Sequence, residues 1–191
     1  MSWNKRDSVG SSHTRAARMG EVQFVRALCL LLAFLPFVAL AEGESQLAIG
    51  PLHLMLSSGW RTTGNSQHQE SHGPDGQTII ATFAAIVPGS VPDPAAKVLE
   101  TAREFAKNGM PGLAEKNGKV LRPVTESPLA DSRVEFSAVS AGKRMFRDYY
   151  FIQYLLTGKQ GMVYLTVEGY GDAAKAAASF DEILAGQQWV E

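Results

Sequence analysis

Arg133-Val-Glu-Phe-Ser-Ala-Val-Ser140, Arg144-Met-Phe-Arg-Asp-Tyr-Tyr-Phe-Ile-Gln-Tyr-Leu-Leu156 and Gly161-Met-Val-Tyr-Leu-Thr-Val-Glu168 decide the fold. Each run is rich in β-branched and aromatic residues and is bounded by turn chemistry, Ala141-Gly-Lys143 in one gap and Thr157-Gly-Lys-Gln160 in the other. Gaps this short cannot hold a crossover, so the three runs form an antiparallel meander. A two- or four-residue loop within 157–160 pairs Tyr154 with Val163, Ile152 with Leu165 and Tyr150 with Val167. A three-residue loop with Gly142 at its turn adds Val134, Phe136 and Ala138 to the same face, against which helices should pack.

The opposite face carries Tyr149, Phe151, Gln153, Leu155, Met162, Tyr164 and Thr166, with Arg133, Glu135, Arg147 and Glu168 around them. Aromatics framed by paired charges suit a protein-binding surface, with Tyr149, Phe151, Met162, Tyr164 and Arg147 as its candidate contacts. The alternative is that a helix, or the connection over 110–132, covers them and gives the sheet layers on both sides.

Working outward, Gln77–Val87 reads as a buried strand and Pro51–Leu56 as another, ended by Ser57-Ser-Gly59 before Trp60, a plug for one end of the core. Residues 42–50 read as a flexible lead-in. Residues 61–76 are polar, a loop or edge strand closing in Gly73-Pro-Asp-Gly76. Asp93-Pro94 opens a helix with Ala95, Val98, Leu99, Ala102, Phe105 and Ala106 on one face, and Asn108-Gly109 stops it. Pro111, Gly112, Gly118, Pro123 and Pro128 make 110–132 a long connection with one short strand near 119–124. Asp172 caps a last helix whose face is Ala173, Ala176, Ala177, Phe180, Ile183 and Leu184. The expectation is a single α+β domain over 51–191: an antiparallel sheet of about five to six strands with two main amphipathic helices.

Before this domain lies a secretory pattern. Arg15, Arg18 and Arg26 precede the apolar run from Ala27 to Leu40, which exits through Ala39-Leu40-Ala41 into polar Glu42-Gly-Glu-Ser45. The run is shorter than the roughly 20 residues a bilayer crossing needs, and it contains Pro36. Residues 1–41 are therefore expected to be a signal peptide cleaved after Ala41, and the remaining chain a periplasmic protein without a membrane anchor. Met19 is an alternative start, because Met19–Arg26 has the make-up of an ordinary n-region. The one cysteine, Cys29, lies in the leader, leaving no thiol for a disulfide, a metal or a lipid. The leader takes five of the 18 Lys/Arg and two of the 19 Asp/Glu, so 13 bases face 17 acids. That surface disfavours nucleic acid and anionic lipid as partners.

Chemistry is sparse. His68-Gln-Glu70-Ser-His72 offers metal-binding side chains, with His53 as a further donor. On a strand, however, the outer histidines stand roughly 13 Å apart at about 3.3 Å per residue, too far for one three-ligand site. Ser140-Ala-Gly-Lys143 matches a Ser-x-x-Lys nucleophile pattern but sits in a turn, without companion motifs. Glu135, Asp148 and Glu168 are interleaved with Arg133, Arg144 and Arg147 and read as cross-strand ion pairs rather than an acid–base couple. No phosphate loop, dinucleotide fingerprint or nucleophile elbow is present. Neither an enzyme nor a bound cofactor is expected.

The order of elements resembles a known family. A Leu-x-Leu strand ends in Gly59-Trp60, then come a second strand, an amphipathic helix, a long loop, three strands centred on Tyr149–Tyr154 and Met162–Thr166, and a C-terminal helix holding Phe180-Asp-Glu-Ile-Leu184. Over roughly residues 46–190 this is similar to the DcrB/PsbP-like family of small exported α/β/α sandwich domains. The resemblance implies accessory, chaperone or assembly factors that act by binding other proteins, here a periplasmic or envelope protein, without catalytic residues. A special case is an immunity protein that neutralises a periplasm-acting toxin; a separate reading, which rests on the residues and not on the resemblance, is metal handling by the His68/Glu70/His72 segment.

Overall fold

The computed structural model describes residues 45–87 and 89–190. The leader, its cleavage after Ala41 and the alternative start at Met19 lie outside the described residues. In chain order the elements are β1 (Ser45–Ile49), β2 (Leu52–Leu56), β3 (Arg61–Gly64), β4 (His68–His72), β5 (Thr78–Ala85), α1 (Pro94–Asn108), α2 (Met110–Lys116), β6 (Lys119–Pro128), β7 (Val134–Arg144), β8 (Arg147–Thr157), β9 (Gly161–Tyr170), α3 (Ala173–Ala185) and β10 (Gln188–Trp189). Seven strands form one antiparallel sheet in the order β3-β4-β5-β9-β8-β7-β6, and β1-β2-β10 form a small second sheet.

β8 shows why the sandwich closes on both sides. Every residue from Tyr149 to Thr157 is buried, the mark of a strand covered on both faces. On one face Tyr150, Ile152, Tyr154 and Leu156 pack with Leu47, Leu52 and Leu54 of the small sheet and with Ala177, Phe180 and Leu184 of α3. Trp60 belongs to this core and meets Phe180 edge-on at 6.1 Å. On the other face Phe136, Ala138 and Leu155, with half-buried Met162 and Tyr164, pack against Ala102 and Ala106 of α1 and Met110 of α2.

Both capping expectations hold. The Asp93 carboxylate accepts the Ala96 N–H at 3.0 Å, and Asp172 accepts those of Ala174 and Lys175 at 2.8 and 3.0 Å. These two backbone donors hold the Asp172 carboxyl below its ordinary range.

Several segments depart from expectation. The lead-in at 45–49 is β1, fixed by five cross-strand pairs to β2. The polar 61–76 segment supplies the expected edge strand, β3, and turn at Gly73–Gly76, but adds a second strand, β4, in a hairpin whose Asn65 side chain accepts the Gln67 and His68 N–H groups at 2.8 and 3.0 Å. The connection over 110–132 contains α2 and a ten-residue strand, β6. Pro111 stands in the first turn of α2, where its missing N–H is not required. Pro123 lies in an irregular stretch of β6, which is the sheet's edge.

The registers are corrected as well. Across β8–β9 the pairs are Ile152–Val167, Tyr154–Leu165 and Leu156–Val163, a shift of two residues that leaves each side chain on its expected face. The β7–β8 turn is not at Gly142 but at Met145–Phe146, with Arg144 opposite Arg147. Replacing a three-residue loop by a two-residue one changes the parity of pairing. Val134, Phe136 and Ala138 therefore lie opposite Thr157, Leu155 and Gln153, on the face covered by α1 and α2.

Candidate functional site

The β7–β8 hairpin ends in Lys143-Arg-Met-Phe-Arg147. Met145 and Phe146 both adopt left-handed backbone, with φ of 49° and 64°. Positive φ at both central residues is the type I′ form of a two-residue hairpin, which strongly favours Asn and Gly. Large side chains there are strained, at about 1–3 kcal/mol each. The strain gains no internal packing, since Met145 is 85% and Phe146 99% exposed.

Beneath this tip the strand ends are braced. Lys143 and Asp148 pair at 3.4 Å. The Arg144 guanidinium lies 3.7 Å from the centre of the Tyr149 ring, and donates to Glu168 at 3.1 Å and to the Asn117 side chain at 2.9 Å. Tyr149 donates its hydroxyl hydrogen to the same Glu168 carboxylate. Burial, then Glu168, pushes the Tyr149 hydroxyl well above the ordinary tyrosine range. Arg147 sits 4.4 Å over the Tyr170 ring, which meets Tyr149 edge-on at 6.1 Å. Among the described residues no carboxylate pairs with Arg147. An apolar tip on a rigid cationic and aromatic collar is the result.

Of the five residues marked in the sequence for partner contact, the structure brings Tyr149 and Arg147 to this collar. The other three lie further along the sheet. Tyr149 and Phe151 are only 3% and 5% exposed, so neither ring offers a docking surface. Met162 and Tyr164 lie under α1, where Phe105 meets the Tyr164 ring edge-on at 5.2 Å. Tyr164 also donates to Gln153 at 2.6 Å, and Gln153 donates to the Met110 carbonyl of α2 at 3.1 Å. The aromatic face is therefore a core face, occupied by the chain's own helices.

His68, Glu70 and His72 alternate outward along β4, with buried Ser71 pointing inward. His72 and Glu70 approach to 3.1 Å, whereas His68 contacts Thr82 at 3.2 Å and His53 contacts Gln46 at 3.2 Å on the small sheet. His68 thus stands apart from the Glu70–His72 pair, with its own contact to Thr82. Among the described residues no group of three or more His, Cys, Asp or Glu side chains is placed to hold a metal.

Met145 and Phe146 were missed in the sequence because Gly142 attracted the turn. The signal was present: a strand reaching back to Arg144 needs a partner that runs past Ser140.

Two solved structures share this architecture. One is the crystal structure of LpqN, involved in cell envelope biogenesis of Mycobacterium tuberculosis, with a TM-score of 0.52 and 15% identity over 78% of this chain and 91% of that one. The second is the solution structure of cyanobacterial PsbP (CyanoP) from Synechocystis sp. PCC 6803, with a TM-score of 0.50 and 11% identity over 80% of this chain and 95% of that one. The fold is PsbP-like. At such identities the likeness is one of fold. No protein-family model matches the chain, and no curated protein does either. Among the described residues no helix is long and apolar enough to cross a membrane.

Proposed function

We propose that this chain is a non-enzymatic accessory protein of the cell envelope, exported to the periplasm by its 1–41 leader, that holds a protein partner through the β7–β8 hairpin tip. The observation that carries the reading is the pairing of strain with exposure at Met145 and Phe146. A fold gains nothing from two large apolar side chains held in water in an unfavourable backbone conformation. A partner gains two anchors on a preorganised base, and Met, Phe and Arg are residue types enriched at protein interfaces. The partner surface that fits is an apolar pocket with a carboxylate at its rim, facing Arg147. The description of LpqN as involved in envelope biogenesis supports an envelope setting for this fold.

The test is recovery of partners from envelope extracts with native protein and with the double variant Met145→Asn/Phe146→Gly. Asn-Gly is the preferred sequence for this turn, so the fold is kept while both anchors are removed. The expected result is loss of the partner captured by native protein. Equal recovery by the variant would remove the tip from consideration. N-terminal sequencing of protein from cells checks the compartment, with Glu42 expected as the first residue.

A further inference from the structure

Among the described residues, three buried side-chain polar atoms have no hydrogen-bond partner: Nε of Arg122, Nη1 of Arg133 and Oε1 of Gln187. All three residues line one groove of about 520 Å³, which lies between the β6–β7 edge and the C-terminal turn of α3. Unsatisfied buried polar atoms are rare, and three on one groove call for a common explanation.

The neighbouring groups are already committed. The two terminal nitrogens of Arg122 grip the Asp181 carboxylate at 3.0 and 3.3 Å, and the Tyr154 hydroxyl donates to Asp181 at 2.8 Å. Of that guanidinium's three nitrogens, Nε is the one without a partner. Arg133 donates through its own Nε to the Ala130 carbonyl at 3.2 Å and lies 5.2 Å over the Trp189 ring, which fixes its plane. Among the described residues it has no carboxylate partner. Glu135 stands on the same wall, its carboxyl pKa raised by burial and then by Asp181. The main-chain N–H of Gln187 is tied to the Leu184 carbonyl at 3.0 Å, anchoring its side chain at the groove.

We propose that this groove binds a small organic carboxylate that carries a hydrogen-bond donor close to its carboxyl group. Its carboxylate takes the free N–H groups of Arg133 and Arg122, and its donor meets Oε1 of Gln187. Two guanidinium donors select an anion with planar, forked acceptor geometry, and the lone amide oxygen selects a donor beside it. The volume lies in the range of small-molecule sites. Free acids and the C-terminus of a peptide share this chemistry. The groove is at the opposite end of the β7–β8 hairpin from Met145 and Phe146, and the inference does not depend on the reading of the tip.

Titration of the ¹⁵N-labelled protein with three probes tests it: N-acetylglycine, with carboxylate and N–H donor; acetate, with the carboxylate alone; and N-acetylglycinamide, with the carboxylate replaced. N-acetylglycine is expected to give saturable shifts at the amides of Ser137, Ala185 and Gln187. Acetate should bind about tenfold more weakly, and N-acetylglycinamide should give no saturable shift. Arg133→Gln should weaken N-acetylglycine about tenfold or more, and Gln187→Leu should reduce it to the level of acetate. An N-acetylated tripeptide ending in Gly distinguishes the sources: binding equal to N-acetylglycine points to a chain terminus, and binding of the small acid alone points to a free one. The proposal is overturned if no probe gives saturable shifts, or if N-acetylglycinamide binds as well as the acid. It is also overturned if Arg133→Gln, with a native spectrum, leaves affinity unchanged. Should Arg133→Gln not fold, the Gln187→Leu comparison decides alone.

Discussion

At one end of β8 the chain turns through Met145 and Phe146; at the other it turns through Lys159 and Gln160, between Gly158 and Gly161. In the second turn both glycines are buried, and the Gly158 N–H donates to the Gly161 carbonyl at 2.9 Å. A side chain at Gly158 would strike the Trp189 ring, and one at Gly161 would strike the Ala84 carbonyl and the Phe83 ring. These glycines make room for neighbours. The first turn is the reverse case: its φ angles call for glycine, there is space for any side chain, and two bulky residues stand there. Internal packing therefore explains the residues of one turn and leaves those of the other to be explained by something outside the molecule.

If that contrast is right, the largest stability loss belongs to the packed turn. Gly161→Ala is expected to destabilise by about 2 to 3 kcal/mol in urea unfolding, because the obstacle includes a backbone carbonyl of the paired strand β5, which cannot rotate away. A loss below about 0.5 kcal/mol would mean that the turn is loosely packed and the contrast false.

The exposed turn should respond in the opposite direction. Met145→Asn/Phe146→Gly is expected to stabilise by about 1 to 2 kcal/mol, as left-handed strain is relieved and little packing is lost. The same urea titration measures it. A destabilised double variant would show that the two side chains support the fold, and the docking reading of the tip would lose its basis.

The two turns also mark where the sequence could be read and where it could not. Turn residues around Gly158 matched their usual roles, so the β8–β9 faces were legible even though the pairing was two residues off. Gly142 had the expected turn chemistry, yet it pairs with Tyr149 inside the hairpin, while Met145 and Phe146 carry no turn signal at all. One wrong loop length was enough to invert the faces of β7. Helix starts were legible because Asp93 and Asp172 act through local hydrogen bonds, whereas β10 is a two-residue strand fixed only by its distant partner β2. The groove was not legible, because it joins Arg122, Arg133 and Gln187 from separate elements, and no spacing links them.

The smallest effect, and the finest probe of the collar under the exposed tip, is Tyr149→Phe. At neutral pH the loss should be about 0.5 to 1 kcal/mol, since one hydrogen bond goes but Glu168 keeps Arg144 at 3.1 Å. The alkaline range is more telling. Burial and Glu168 hold the proton on Tyr149 above its ordinary value of 10.0, so above that pH the unfolded chain releases a proton that the folded chain retains. Stability must then fall as pH rises past about 10, and Tyr149→Phe should flatten that fall. Tyr154, toward the other end of β8, is shifted in the same direction by burial and Asp181 and remains in the variant, so the slope should shrink without vanishing. An unchanged slope would show that Tyr149 is free to ionise, and that the base beneath Met145 and Phe146 is too loose to hold them in a strained conformation for a partner.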